Sequence, residues 1–179
     1  MKPVLSPAER TAFVTGATAG IGEATVRTLV ASGWRCVATG RRKERLDALV
    51  EELGADKVHA ACFDVRDTEA MDAAIAALPE AFAGIDLLVN NAGSTPAERV
   101  ETKDGLEQTF AANHLAVFLL THRLLPLLKA AAPGAQVITT ASVAHKFVKD
   151  MKWDDLQQVE RFSANDAYTQ SKLANILFT

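Results

Sequence analysis

Short apolar runs alternate along this chain with longer stretches in which apolar residues recur every three or four positions. Thr11–Thr15, Trp34–Thr39, Val58–Phe63, Ile85–Val89 and Gln136–Thr140 are runs of apolar and β-branched residues, and each reads as a strand. Between them, Ile21–Ser32, Lys43–Leu53, Thr68–Leu78 and Lys103–Lys129 read as helices. Leu46, Leu49, Val50 and Leu53 fall on one face of the second, and Thr68 is placed to cap the third. Pro126 marks a bend or the last turn of the fourth. Asp166–Thr179 reads as a closing helix.

Strands that alternate with helices of ten or so residues predict βαβ units around a parallel sheet. The strands carry apolar residues on both faces, as helices on both sides of a sheet would require. With right-handed crossovers, the expected fold is α/β in three layers (α/β/α). Its core is a doubly wound parallel sheet of five strands in the order 3-2-1-4-5. The whole chain, 1–179, is expected to form a single domain.

The bulk composition removes several alternatives. With 49% hydrophobic and 23% charged residues among 179, the chain has enough apolar mass for one sizeable core and is not a disordered sequence. A net charge of −3 provides no field that would draw it to nucleic acid. Cys36 and Cys62 both lie in apolar runs and read as buried thiols of a reducing compartment, far from any metal-ligand spacing. The opening MKPVLSPAER lacks the apolar segment of a secretory signal. Phe118–Leu128, interrupted by His122, Arg123 and Pro126, falls short of a membrane span of about 20 residues. A cytoplasmic protein is expected.

The first strand leads into Thr15-Gly16-Ala17-Thr18-Ala19-Gly20-Ile21-Gly22 and then a helix. Gly16 suits the tight turn, Gly20 lets backbone approach a phosphate, and Gly22 lets the helix pack closely. The helix start offers unpaired N–H groups and a partial positive charge to an anion. The residue-level reading is therefore a pyrophosphate cradle formed by Gly16, Thr18, Ala19, Gly20, Ile21 and Gly22.

This TGxxxGxG spacing resembles the short-chain dehydrogenase/reductase family, whose sheet is of the Rossmann type. The likeness runs along essentially the whole chain. Its first part (VTGATAGIGE, ATGRRKERL) looks like NADP-dependent serine or 3-hydroxy-acid dehydrogenases. Its later part (SVAHKF, WDDLQ, YTQSKLANILFT) looks more like retinol dehydrogenases and the WW-domain oxidoreductase group. The second strand ends in Gly40-Arg41-Arg42, where an NAD site of this architecture carries an acidic residue for the ribose 2′-hydroxyl. A guanidinium holds a 2′-phosphate where a carboxylate would repel it, so NADP(H) is expected in preference to NAD(H). The resemblance further implies that Asp64 and Val65 meet the adenine. It also implies that Asn91-Ala92-Gly93 pass beneath the adenosine ribose.

Tyr168 and Lys172 are four residues apart and share a helix face, where the ammonium favours the phenolate. In the family this pair works with a serine and with an asparagine in the long helix, which here are Ser142, read as ending the fifth strand, and Asn113. The resemblance implies reversible hydride transfer between nicotinamide and a small-molecule carbonyl or alcohol. Tyr168 would move the oxygen-bound proton and Ser142 would hydrogen-bond the substrate oxygen. Lys172 would act on Tyr168 and bind the nicotinamide ribose, and Asn113 would hold a water. No metal is implied.

Family members continue past the Tyr–Lys helix with further strands and a substrate loop. The expectation is thus an adenosine half that is complete, a substrate half that lacks a wall, and a fifth strand open to pairing, favouring a homo-oligomer. A catalytically silent nucleotide-binding or interaction module is the competing class. A nucleotide-sugar epimerase or dehydratase with a similar Tyr–Lys pair is disfavoured by the glycine spacing and by Asn90-Asn91-Ala92-Gly93.

Overall fold

The computed structural model describes residues 10–179. The first nine, on which the reading of the opening segment falls, lie outside the described residues. Five parallel-sheet strands form: β1 (Thr11–Val14), β2 (Arg35–Gly40), β3 (Val58–Cys62), β4 (Ile85–Asn90) and β5 (Gln136–Thr139). Their order is β3-β2-β1-β4-β5, as the alternating pattern predicts. The helices are α1 (Gly20–Ala31), α2 (Lys43–Leu53), α3 (Thr68–Ala76), α4 (Gln108–Ala131) and α5 (Ala164–Phe178).

The residues group into two compact units. The first takes the chain up to Ala92 together with Thr121–Ile138, and the second takes Gly93–Leu120 with Thr139–Thr179. In the first unit every residue of β1 and β4 is buried, and one core cluster joins Val14, Val26, Ala38, Leu46 and Leu49. The parallel register pairs Thr11 with Arg35 and Val14 with Ala38, so β2 runs two residues past the end of β1. The Thr11 N–H donates to the buried Asp86 carboxylate at 2.9 Å. In the second unit Phe110, Met151 and Ala174 form a smaller core.

Several sequence expectations are corrected. β5 is largely exposed, with Val137 at 37% and Ile138 at 49%, so coverage on both faces holds for β1 and β4 and not for this edge strand. Cys36 is buried, and burial pushes its thiol up to about 12, but Cys62 is exposed at the end of edge strand β3. Asp67, not Thr68, caps α3 by accepting from the Ala70 N–H at 3.2 Å.

The long helix begins at Gln108 instead of Lys103. Residues 102–106 turn through Gly105 (φ +75°), and the buried Glu107 caps the helix by accepting from the Thr109 and Phe110 N–H groups, both at 2.7 Å. The helix runs through Pro126 to Ala131. At 24 residues it is long and apolar enough, by length and composition, to cross a membrane, unlike the shorter run expected from the sequence. A core helix of a water-exposed protein meets the same criterion. Two of its polar side chains have partners within the first unit: Thr121 accepts from Asn90 at 3.0 Å and Arg123 pairs with Asp72 at 2.9 Å.

Candidate functional site

In the first unit the glycine turn leaves β1 and enters α1. Gly16 has φ +68°, and a Cβ there would lie 2.8 Å from Asn91 Nδ2 and 3.0 Å from the Ala92 backbone. Gly20 has φ +56° and faces open space, with nothing within 4 Å of a Cβ position. Gly22 is the tightest of the three. Its Cβ would stand 2.3 Å from the Gly16 carbonyl oxygen and 2.5 Å from Asn91 Nδ2, so this glycine lets the helix pack closely on its own turn and on the end of β4. The N-cap of α1 is Ala19, whose side chain has no acceptor to offer the first-turn N–H groups. An uncapped helix start beside an open glycine suits an external anion.

Thr15 organises this turn, a role the sequence reading missed. Its hydroxyl accepts from the N–H groups of Asn91 and Ala92, each at 2.9 Å, and donates to the Val89 carbonyl at 3.3 Å. The Asn91 side chain donates in return to the Thr15 carbonyl at 3.0 Å. Asn91 and Ala92 are therefore tied to the glycine turn by both backbone and side chain. A hydroxyl at the last position before a strand-end glycine was the available signal.

At the ends of β2 and β3 the charges sort into two groups. Arg41 lies 3.5 Å from the Asp64 carboxylate, and Arg66 grips the same carboxylate through Nε and Nη2 at 3.0 and 2.7 Å. The Arg66 side-chain hydrogen bonds hold Asp64 well below the usual carboxylate range, at about 2. Val65 beside it is half-buried. Arg42 instead bonds the Thr18 hydroxyl, and Arg45 bonds the Thr18 carbonyl. The sequence reading passed over Arg45, because a basic residue in the first turn of a helix looks like a solvated face.

The second unit contains the four proton-transfer candidates. Asn113 lies in a π-helical turn, Ala111–Leu115, within α4 and is buried. Its Oδ1 accepts from the Ser94 N–H at 2.8 Å, and its Nδ2 donates to Ser171 Oγ at 3.1 Å. Its backbone carbonyl accepts from Asn175 Nδ2 at 2.8 Å. The wider turn explains how an amide survives among apolar neighbours, since all its polar groups find partners. Gly93 packs on this residue, and a Cβ there would come within 2.9 Å of Asn113 Oδ1.

Tyr168 and Lys172 occupy α5, whose start is capped by Ser163 accepting from the Asp166 N–H. Lys172 is buried, and its Nζ donates to the Thr140 carbonyl at 2.9 Å. The same Nζ lies 5.7 Å from the centre of the Tyr168 ring. Burial holds the lysine below its ordinary range. Ser142 is not on β5, which ends at Thr139. It caps a short 3₁₀ turn, Val143–Phe147, its Oγ accepting from the Ala144 N–H at 3.2 Å. That turn packs against α5. Among the described residues no group of three or more metal-ligating side chains occurs.

Comparison with known proteins assigns this set of elements to a class. Residues 10–152 match the family model described as short chain dehydrogenase, so the chain belongs to that family. Serine 3-dehydrogenase of Agrobacterium fabrum is 47% identical over 123 residues, covering 66% of this chain and 48% of the relative. Human retinol dehydrogenase 13 is 35% identical over 175 residues, covering 95% of this chain and 52% of the relative. The chain thus spans about half the length of the curated relatives it matches. Among solved structures, the closed form of a serine dehydrogenase complexed with NADP+ superposes with a TM-score of 0.75 at 30% identity, covering 94% of this chain and 63% of that one.

Proposed function

We propose that the protein is an NADP(H)-dependent oxidoreductase that interconverts a carbonyl and an alcohol on a small molecule. The observation that carries this reading is the Lys172 ammonium, buried, held by Thr140 and one helical turn from Tyr168. A tyrosine one turn from a fixed lysine gives a proton-transfer group at a helix face.

The cofactor would be held by Gly16, Ala19, Gly20, Ile21 and Gly22 at the phosphates and by Arg41 and Arg42 at the adenosine end. The open Cβ position of Gly20 and the uncapped start of α1 fit such a group. Asp64, Val65, Asn91, Ala92 and Gly93 would border its adenosine. When bound, the nicotinamide supplies or accepts the hydride. The protein's own residues handle the proton. Tyr168 gives it to the substrate oxygen in reduction and takes it in oxidation. Ser142 hydrogen-bonds that oxygen and holds it in place. Lys172 stabilises the phenolate that remains. Asn113 would hold a water that returns protons to Lys172. A cytoplasmic location and a homo-oligomeric state belong to the same reading.

The test is NADPH consumption with a panel of aldehydes and ketones, run with wild type and Tyr168→Phe. Turnover by wild type that disappears in the variant supports the proposal. Tight cofactor binding with no turnover on any substrate would support a silent nucleotide-binding module instead.

A further inference from the structure

Thr18 is buried in the glycine turn, and two guanidinium groups converge on it. Arg42 donates to its hydroxyl from Nε at 3.1 Å and from Nη2 at 2.8 Å. Arg45 donates to its carbonyl from Nη1 at 3.2 Å. Among the described residues neither arginine pairs with a carboxylate, whereas Arg41 and Arg66 share Asp64 and Arg27 pairs with Glu23. Two cations are thus gathered on neutral acceptors. An anion of more than one charge beside Thr18 would attract both.

A steric relationship joins the same residue to the end of β2. A Cβ on Gly40 would stand 2.6 Å from the Thr18 methyl and 3.3 Å from its hydroxyl oxygen. The methyl has little freedom to yield. Threonine is branched at Cβ, and rotating χ1 would break the bonds to Arg42. Yet Gly40 is the strand-end position at which an acidic side chain would take a ribose 2′-hydroxyl.

We propose that Thr18 is the residue that selects between the two nicotinamide cofactors: its hydroxyl and carbonyl aim Arg42 and Arg45 at the 2′-phosphate, and its methyl keeps a carboxylate-bearing residue out of position 40. The inference rests on the NADP(H) reading above. Thr18 acts as a positioning residue and needs no contact with the phosphate. An arginine already held by a fixed acceptor loses less rotamer freedom when the phosphate arrives. Exchange of cofactor preference therefore requires two changes, because Gly40→Asp alone pushes on Thr18 and disturbs Arg42 without gaining a usable carboxylate.

The experiment is calorimetric titration of the intact chain with adenosine 2′,5′-bisphosphate and with 5′-AMP, alongside NADPH and NADH. Thr18→Val keeps the shape and removes the acceptor. It is expected to weaken the bisphosphate about tenfold while 5′-AMP stays within about twofold, and Thr18→Ser is expected to restore the difference. Gly40→Asp alone is expected to bind both dinucleotides poorly. Adding Thr18→Ser to it removes the methyl, and NADH affinity should rise by about tenfold or more. This second arm decides the matter even where Thr18→Val fails to fold. An unchanged bisphosphate preference in folded Thr18→Val, or tight NADH binding by Gly40→Asp alone, would overturn the proposal. Equal affinity of wild type for bisphosphate and 5′-AMP would instead remove the NADP(H) reading on which it stands.

Discussion

Lys172 reaches past its own helix to the Thr140 carbonyl at 2.9 Å while its ammonium stays 5.7 Å from the ring of Tyr168, one turn earlier. The lysine is therefore fixed from outside α5. Its charge acts on the tyrosine from a set place. If this pair performs the proton transfer, Tyr168→Phe should lower kcat by about 10³-fold and Lys172→Met by about 10²-fold. Binding of 5′-AMP should be unaffected in both. Steady-state NADPH consumption together with titration of the nucleotide checks this.

Burial of Lys172 also makes stability depend on pH. Its folded pKa is lowered from 10.5, so between the lowered value and 10.5 the unfolded chain binds more protons than the folded one. Stability therefore rises with pH through that interval. Lys172→Met lacks this contribution. Any advantage it has near neutral pH should narrow as pH climbs towards lysine's ordinary range. Urea unfolding of both proteins across the alkaline range measures it.

Asp64 gives a dependence of the same sign, but in the acid range. Arg66 holds its carboxyl at about 2 against an ordinary 3.8, so its contribution is complete above 3.8 and is lost as pH falls towards 2. With the side chain 27% exposed, solvent screens the pair, and Asp64→Asn should cost about 1–2 kcal/mol near neutral pH. The variant's acid unfolding should be correspondingly flatter through that interval. Melting curves taken from neutral to acid pH check both statements.

Two glycines of the turn should respond differently to alanine. Gly22→Ala drives a methyl to 2.3 Å from the Gly16 carbonyl oxygen and should destabilise the fold by about 2–3 kcal/mol. Gly20→Ala meets no atom and should cost only the left-handed backbone penalty of about 1 kcal/mol. It should nevertheless weaken nucleotide binding, since its methyl occupies the open side of the turn. Chemical denaturation and 5′-AMP titration separate the two effects.

Arg41 shares Asp64 and is mostly exposed, whereas Arg42 is held by the Thr18 hydroxyl. Arg41→Ala should lower the preference for NADP(H) over NAD(H), by less than Arg42→Ala does. An unchanged preference would remove Arg41 from the phosphate clamp. Paired titrations with the two reduced cofactors give the ratio.

The alternation of apolar runs and helical stretches was enough to predict the strand order, because parallel strands must be buried and crossovers are short and right-handed. The glycine turn, Tyr168 and Lys172 were legible as local spacings. What the pattern did not reveal depends on contacts, near and distant in sequence, that no periodicity encodes. The start of α4 turns on Glu107 folding back to cap it, and Ser142 lies beyond β5 because the strand ends at Thr139. Cys62 looked buried because its neighbours are apolar, but an edge strand has an outward side. The convergence of Arg42 and Arg45 on Thr18 spans more than twenty residues and has no periodic signature.

Thr15 carries a consequence for how a nucleotide would be met. One hydroxyl ties the backbone of Asn91 and Ala92 to the end of β1, and Asn91 answers through its side chain. These segments therefore pay their ordering cost as the chain folds, when the sheet forms, and not when a ligand arrives. Such a cradle docks its guest as a rigid mould would. Loosening that knot would show itself first as slower capture and faster escape of the nucleotide, with the sheet still standing.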